Sequence, residues 1–202
     1  MAKTIIFDLG NVILNFDHRL ICEGIARYSK YSSDDIYRIG FNSEVLKLYD
    51  LGKLKSEQLF DWVSKRFDIT IAYDTFQTIW SDIFSLNDSV EEVVSDLKKN
   101  GYYLILVSNT NELHFDFIQQ NFKVTEVFDD LVLSYRLGRS KPDREFFGEV
   151  LRKANSSPAD CIYIDDIEEF CKAAKELGIN TIIYRSTEQL VTELKELGVM
   201  ID

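Results

Sequence analysis

Proline, cysteine and histidine are all scarce in this chain: its 202 residues hold 2, 3 and 2 of them. With only Pro142 and Pro158, there is no Pro-rich linker, and no repeat or low-complexity tract divides the sequence. Cys22, Cys161 and Cys171 form neither an even set nor a metal-ligand spacing. That argues against a disulfide framework or a zinc site; the residues read as buried thiols in a reducing cytosol. Positive charge is short as well. Lys and Arg number 23 against 34 Asp and Glu, a net charge of −11, so nucleic acid and anionic membrane are not expected as main partners. No apolar run approaches the roughly 20 residues that span a bilayer. Met1-Ala2-Lys3 leads straight into a strand pattern rather than a signal peptide. A cytoplasmic protein, monomeric or weakly dimeric, is expected.

The chain that remains can form one good-sized domain or a domain with a large insertion. Thr4-Ile5-Ile6-Phe7 runs into Asp8, and Gly10-Asn11 breaks the run. This reads as a short buried strand that ends in a carboxylate and a tight turn. Residues from about 15 to 85 read as helices only, with Ser43 and Ser56 at helix starts and Gly52 as a stop. After Leu86 the pattern alternates. Asp88 and Glu91 have capping-box spacing, and Tyr102–Val107 is a continuous apolar run typical of a strand buried on both faces. Leu131–Leu133, Cys161–Ile164 and Thr181–Tyr184 are further strands. Helices fall between them. Tyr135 to Lys141 reads as a polar loop, Pro142 as a helix opening, and Thr187 as the cap of the last helix. Strand–helix alternation predicts an α/β fold, a Rossmann-like parallel sheet with helices on both faces. The helical block is then an insertion, with core 1–14 and 86–202 and an all-helical cap 15–85, set at the sheet edge where a lid would lie.

Strand ends carry the polar residues: Asp8, then Ser108 with Asn109, then Asp165 with Asp166, while Lys141 follows a shorter strand. A parallel sheet brings them to one edge, where ligands bind. Converging carboxylates repel unless a cation joins them, and oxygen ligands with no His or Cys nearby point to Mg²⁺. Lys141 and Ser108 beside them suit a phosphoryl group. Taken singly, Asp8 could merely end a strand and Lys141 could be a surface lysine.

Four motifs in order resemble the haloacid dehalogenase (HAD) superfamily with its helical C1-type cap. They are Phe7-Asp8-Leu9-Gly10-Asn11-Val12, Val107-Ser108-Asn109-Thr110, Lys141-Pro142-Asp143, and Ile164-Asp165-Asp166 before a helix with Ala173-Ala174. The first two, with Asn111-Glu112-Leu113-His114, look most like a bacterial α-D-glucose-1-phosphate phosphatase branch. The resemblance implies a phosphatase of a small phosphorylated metabolite, plausibly a sugar phosphate. In it Asp8 attacks phosphorus, and Mg²⁺ is held by Asp8, Asp166 and the Gly10 carbonyl. Asp165 is a further ligand or an acceptor behind the ligands. Ser108 and Asn109 hold phosphate oxygens, Lys141 neutralises charge, and Arg19 is a candidate phosphate contact.

Two positions depart from the family pattern. Gly10 stands where a second aspartate usually acts as acid and base, a function typically worth about 10²–10⁴-fold. Phe170 stands where Asn or Asp usually lies near the metal; its apolar stripe with Ala173, Ala174 and Leu177 reads as core. Glu169 reads as the partner of Asp166 in a capping box, and His114 as a satisfied, partly buried side chain. Both departures keep open a non-catalytic phospholigand-binding protein. A phosphonatase would need a buried lysine among Lys47, Lys53, Lys55 and Lys65. A mutase would need the aspartate that Gly10 replaces.

Overall fold

The structure, a computed structural model, describes residues 4–154 and 156–201. Met1-Ala2-Lys3, from which the lack of a signal peptide was read, lies outside them. β1 (Thr4–Asp8) is buried along its whole length. β2 (Leu14–Phe16) pairs antiparallel with β3 (Phe84–Leu86). Between these two short strands lie α1 (His18–Ala26), α2 (Ser33–Gly40), α3 (Glu44–Asp50), α4 (Ser56–Phe67) and α5 (Tyr73–Ser81). α6 (Asp88–Lys99), β4 (Tyr103–Ser108), α7 (Glu112–Asn121), β5 (Asp130–Leu133), α8 (Ser134–Leu137) and α9 (Arg144–Ala154) follow. β6 (Cys161–Asp165), α10 (Glu168–Lys175), β7 (Asn180–Ile183) and α11 (Thr187–Glu196) complete the order.

Five strands form one parallel sheet in the order β5-β4-β1-β6-β7, so the first strand of the chain is the central one. Its position explains its composition: a strand covered on both faces has no polar side. Ile5 and Phe7 pack with Val94 and Leu97 of α6 and Leu190 of α11. Ile6 faces the other way, toward Phe146 and Val150 of α9 and Cys171 of α10. Register sets the site. Asp8 pairs with Val107 and Phe7 with Ile164, so Asp8, Ser108 and Asp165 leave the sheet at the same edge.

The helices α1 to α5 bury a separate cluster that includes Ile21, Leu59, Phe67, Phe76 and Trp80. Leu113 of α7 joins it, so the block rests on the carboxyl edge of the sheet. Polar contacts fasten it there. The Ser56 hydroxyl donates to Glu112 Oε2 at 2.5 Å, which leaves the Tyr49 hydroxyl to donate to Ser56 Oγ at 2.9 Å. Tyr49 Oη in turn accepts the Leu113 N–H at 3.2 Å. Gly52 (φ +65°) passes so close to α8 that a Cβ there would lie 2.0 Å from the Tyr135 carbonyl oxygen.

Local departures from the sequence reading have local causes. The 15–85 stretch is not helical throughout: β2 and β3 form a ribbon at its two ends, each too short to show a period of two. The loop read at 135–141 holds the single turn α8. Lys141-Pro142 is a cis peptide, and the helix opens at Arg144 rather than at Pro142. The last helix is capped by Ser186, whose box partner is Gln189, not by Thr187. No helix among the described residues is long and apolar enough to cross a membrane. The three cysteines are free and buried.

Candidate active site

Lys141 sits at the centre of the site. Its side chain is 1% exposed, and Nζ donates to Asp8 Oδ1 at 2.6 Å and to Asp165 Oδ2 at 2.7 Å. Burial alone would strip the proton from a lysine, but the two facing carboxylates outweigh it and hold the pKa above its usual value. The backbone of Lys141 is clamped too: its N–H donates to Asn109 Oδ1 at 2.8 Å, and Asn109 Nδ2 donates back to its carbonyl at 3.0 Å. Both ends of the Asn109 amide thus bond to the Lys141 backbone, and one amide hydrogen remains. Read from the sequence as a phosphate holder, Asn109 also holds the lysine in place.

Phe170 belongs to this arrangement as well. Its ring lies 5.0 Å from Lys141 Nζ, and the Tyr163 ring lies 5.9 Å away on another side. The residue read as plain core is half-buried and covers the ammonium. Asp165 is saturated with donors. Its Oδ2 takes Lys141 and the Tyr163 hydroxyl, and its Oδ1 takes the Ile167 N–H at 2.8 Å. That last contact starts α10 at Glu168, so the expected pairing of Asp166 with Glu169 as a capping box does not form.

Asn11 takes a left-handed conformation (φ 54°), which Asn tolerates better than most residues. The turn closes through its N–H to the Leu14 carbonyl at 2.7 Å and sends its amide to Asp166 Oδ2 at 3.5 Å. Asp8, Asp165 and Asp166 each offer an oxygen, all within 4.8 Å of one another. Three carboxylates thus face one ammonium, a surplus of two negative charges if all three ionise. The strain shows in Asp8: burial raises its carboxyl to about 7 despite the opposing pull of Lys141. Burial, and then the charge of Asp165, raise Asp166 in the same way. An all-oxygen set with this surplus fits a hard divalent cation.

Beside the carboxylates lies a cavity of about 160 Å³ lined by Leu9, Gly10, Ser108 and Asn109 from the sheet edge. The Ser108 hydroxyl has no partner among the described residues and is free to donate. A Cβ at Gly10 would meet the Phe16 ring at 2.7 Å, so a side chain there requires the ring to move. The structure does not bring Arg19 to this site. Its guanidinium is exposed, ion-paired with Asp34 at 3.0 Å and lying over the Tyr37 ring. The four cap lysines Lys47, Lys53, Lys55 and Lys65 are all exposed; Lys47 lines the cavity but pairs with Glu44 at 3.6 Å, so none is the buried lysine a phosphonatase needs.

Sequence reasoning did not single out Asp50 or Asn111, which line the opposite side of the cavity with His18, Phe41, Trp80 and His114. His114 is buried and neutral, its pKa driven down to about 3 by burial and by nearby His18. A carbonyl can only accept, so the contact with the Trp80 carbonyl at 3.0 Å fixes the proton on Nε2. Nδ1 then accepts from Asn111 Nδ2 at 3.3 Å. The second hydrogen of that amide goes to Asp50 Oδ1 at 3.0 Å.

The fold and the strand-end carboxylates lead to one hydrolase family. The model of haloacid dehalogenase-like hydrolases matches residues 2–178, and the chain belongs to that family. It is 23% identical over 188 residues to the D-ribitol-5-phosphate phosphatase of Bacteroides thetaiotaomicron, covering 90% of this chain and 91% of that one. It is 24% identical over 200 residues to the sesquiterpene phosphatase astK of Aspergillus oryzae, covering 96% of each. Family and relatives together place it among the phosphatase hydrolases. Its fold is shared with a HAD family enzyme from Bacteroides thetaiotaomicron solved with magnesium and inorganic phosphate. The TM-score is 0.81 at 24% identity, over 92% of this chain and 95% of that one.

Proposed function

We propose that the protein is a Mg²⁺-dependent phosphatase of a small phosphorylated metabolite, a sugar or polyol phosphate, with Asp8 as nucleophile. One observation carries the reading: a buried lysine donates at 2.6 Å to a strand-end carboxylate beside two more carboxylates and a free serine hydroxyl. In the proposed reaction, an Asp8 oxygen attacks phosphorus. The bond from phosphorus to the ester oxygen breaks, and its electron pair leaves with that oxygen. Water then attacks the aspartyl-phosphate and releases inorganic phosphate. Lys141 and the Ser108 hydroxyl hold charge on the phosphoryl oxygens, and Asn109, Asp165 and Phe170 keep Lys141 in place. Asp8, Asp166 and the Gly10 carbonyl would hold the cation, with Asp165 behind them. Bound there, Mg²⁺ supplies positive charge against the phosphoryl oxygens.

Residues 15–85 serve as the cap that closes the site over 1–14 and 86–202. Gly10 cannot protonate the leaving oxygen, and Phe16 fills the space where an acid at that position would stand. This favours a leaving group stable without early protonation, such as an anomeric sugar phosphate. The same feature supports a second reading, a phospholigand-binding protein without turnover.

The two are separated by incubating wild-type protein and Asp8→Asn with sugar phosphates and Mg²⁺. Phosphate release by the wild type alone is expected. Tight binding with no release from any substrate would favour the second reading. Release that survives Asp8→Asn would remove Asp8 as nucleophile.

A further inference from the structure

The cavity has two unlike walls. One is aromatic. The rings of Phe16 and His18 lie 4.8 Å apart, those of His18 and Phe41 also 4.8 Å apart, and the Trp80 ring runs parallel to Phe41 at 6.4 Å. Facing the cavity with them is a single cap carboxylate, Asp50, the last residue of α3.

Asp50 is held from two directions. The Ser134 hydroxyl lies 2.7 Å from the Asp50 carbonyl oxygen, within the same cluster as the Thr110 backbone. The side chain takes the Asn111 amide on Oδ1, and that amide is fixed by His114 and, through it, by the Trp80 carbonyl. The chain of contacts uses up both amide hydrogens of the Asn111 side chain, while its Oδ1 accepts the His114 N–H at 3.1 Å. Asp50 Oδ2 has no partner among the described residues. An oriented carboxylate oxygen without a donor, in a cavity that begins at Ser108, is an acceptor awaiting a hydroxyl.

We propose that Asp50 is a specificity-determining residue: Oδ2 accepts a hydrogen bond from a hydroxyl of the leaving group, while the aromatic wall covers its C–H face, so the substrate is a short polyhydroxylated phosphomonoester. This rests on the phosphatase reading for the placement of the phosphoryl group. Chemistry excludes the main rival. A long apolar leaving group would leave the Asp50 carboxylate desolvated and without a donor, which burial already disfavours. A cavity of about 160 Å³ is also small beside the roughly 300 Å³ at which pockets for larger ligands begin.

The test is a specificity ratio. Wild-type protein and Asp50→Asn are assayed with Mg²⁺ on hexose, pentose and pentitol monophosphates and on phenyl phosphate, which lacks hydroxyls. The ratio of kcat/KM for the best sugar phosphate to that for phenyl phosphate is expected to fall roughly ten- to a hundredfold in Asp50→Asn, mostly through KM. An unfolded fraction lowers both substrates alike and leaves the ratio untouched. A ratio within twofold of wild type overturns the proposal.

Calorimetry keeps the two readings apart. Asp8→Asn and Asp8→Asn/Asp50→Asn are each titrated with the same sugar phosphate in Mg²⁺. Weaker binding by the double variant supports Asp50 even if the wild type shows no turnover, and equal binding overturns it.

Discussion

Phe170 shows how a residue can look like core and work at the site. In the sequence it completes an apolar helical stripe; in the structure its ring lies 5.0 Å from Lys141 Nζ. A desolvated cation–π contact is worth up to about 2 kcal/mol. Phe170→Leu keeps the apolar volume and removes the ring's charge distribution, so kcat is expected to fall several-fold with little change in melting temperature. A large loss of stability with unchanged kcat would return Phe170 to plain packing. His114 gives a pH prediction. Its pKa is about 3 in the fold against an ordinary 6.5, so its contribution is present above pH 6.5 and lost as pH falls toward 3. The stability advantage of the wild type over His114→Gln, measured by denaturant unfolding, is expected to shrink as pH drops below 6.5. A difference that is constant with pH would contradict the neutral buried histidine. The placing of Asp8 and Lys141 together at the sheet edge was legible because each follows its own strand and motif. Asp50 was not, because its contact with Asn111 spans 61 positions and no local pattern announces it.

At the level of elements, the α3–α4 corner joins the helical block to the sheet edge. Gly52 makes it: a left-handed backbone with the Tyr135 carbonyl 2.0 Å from any Cβ. Gly52→Ala cannot be accommodated without moving α3 away from α8, and Asp50 moves with it. The expected result is a loss of more than about 1 kcal/mol in unfolding free energy and a raised KM. An unchanged KM would mean that the corner does not position Asp50. Gly10→Ala raises a similar conflict with Phe16, and Phe16→Ala in the same chain is expected to recover part of the lost stability, read by thermal denaturation. Strands were the easiest elements to read. Those buried on both faces are continuous apolar runs, whereas β2 and β3, three residues each, carry no periodic signal.

Across the whole molecule, sheet order turns a linear pattern into a site. The sequence placed carboxylates at strand ends, but only the central position of β1, between β4 and β6, brings Asp8 between Ser108 and Asp165. The crowding of three carboxylates at one edge favours a cation in the proposed site. Adding Mg²⁺ to chelator-treated protein is expected to raise the melting temperature, and less so in Asp166→Asn. Equal shifts in both proteins would remove Asp166 from the cation's site.

The claim on which the rest depends is that Asp8 carries the phosphoryl group. The direct measurement is acid quench during turnover of a sugar phosphate with Mg²⁺, followed by mass spectrometry of the peptide that contains Thr4 to Leu14. The account predicts a transient added phosphoryl mass on Asp8 that hydroxylamine removes and that Asp8→Asn lacks. Turnover with no such adduct, or with the adduct on another residue, would contradict it.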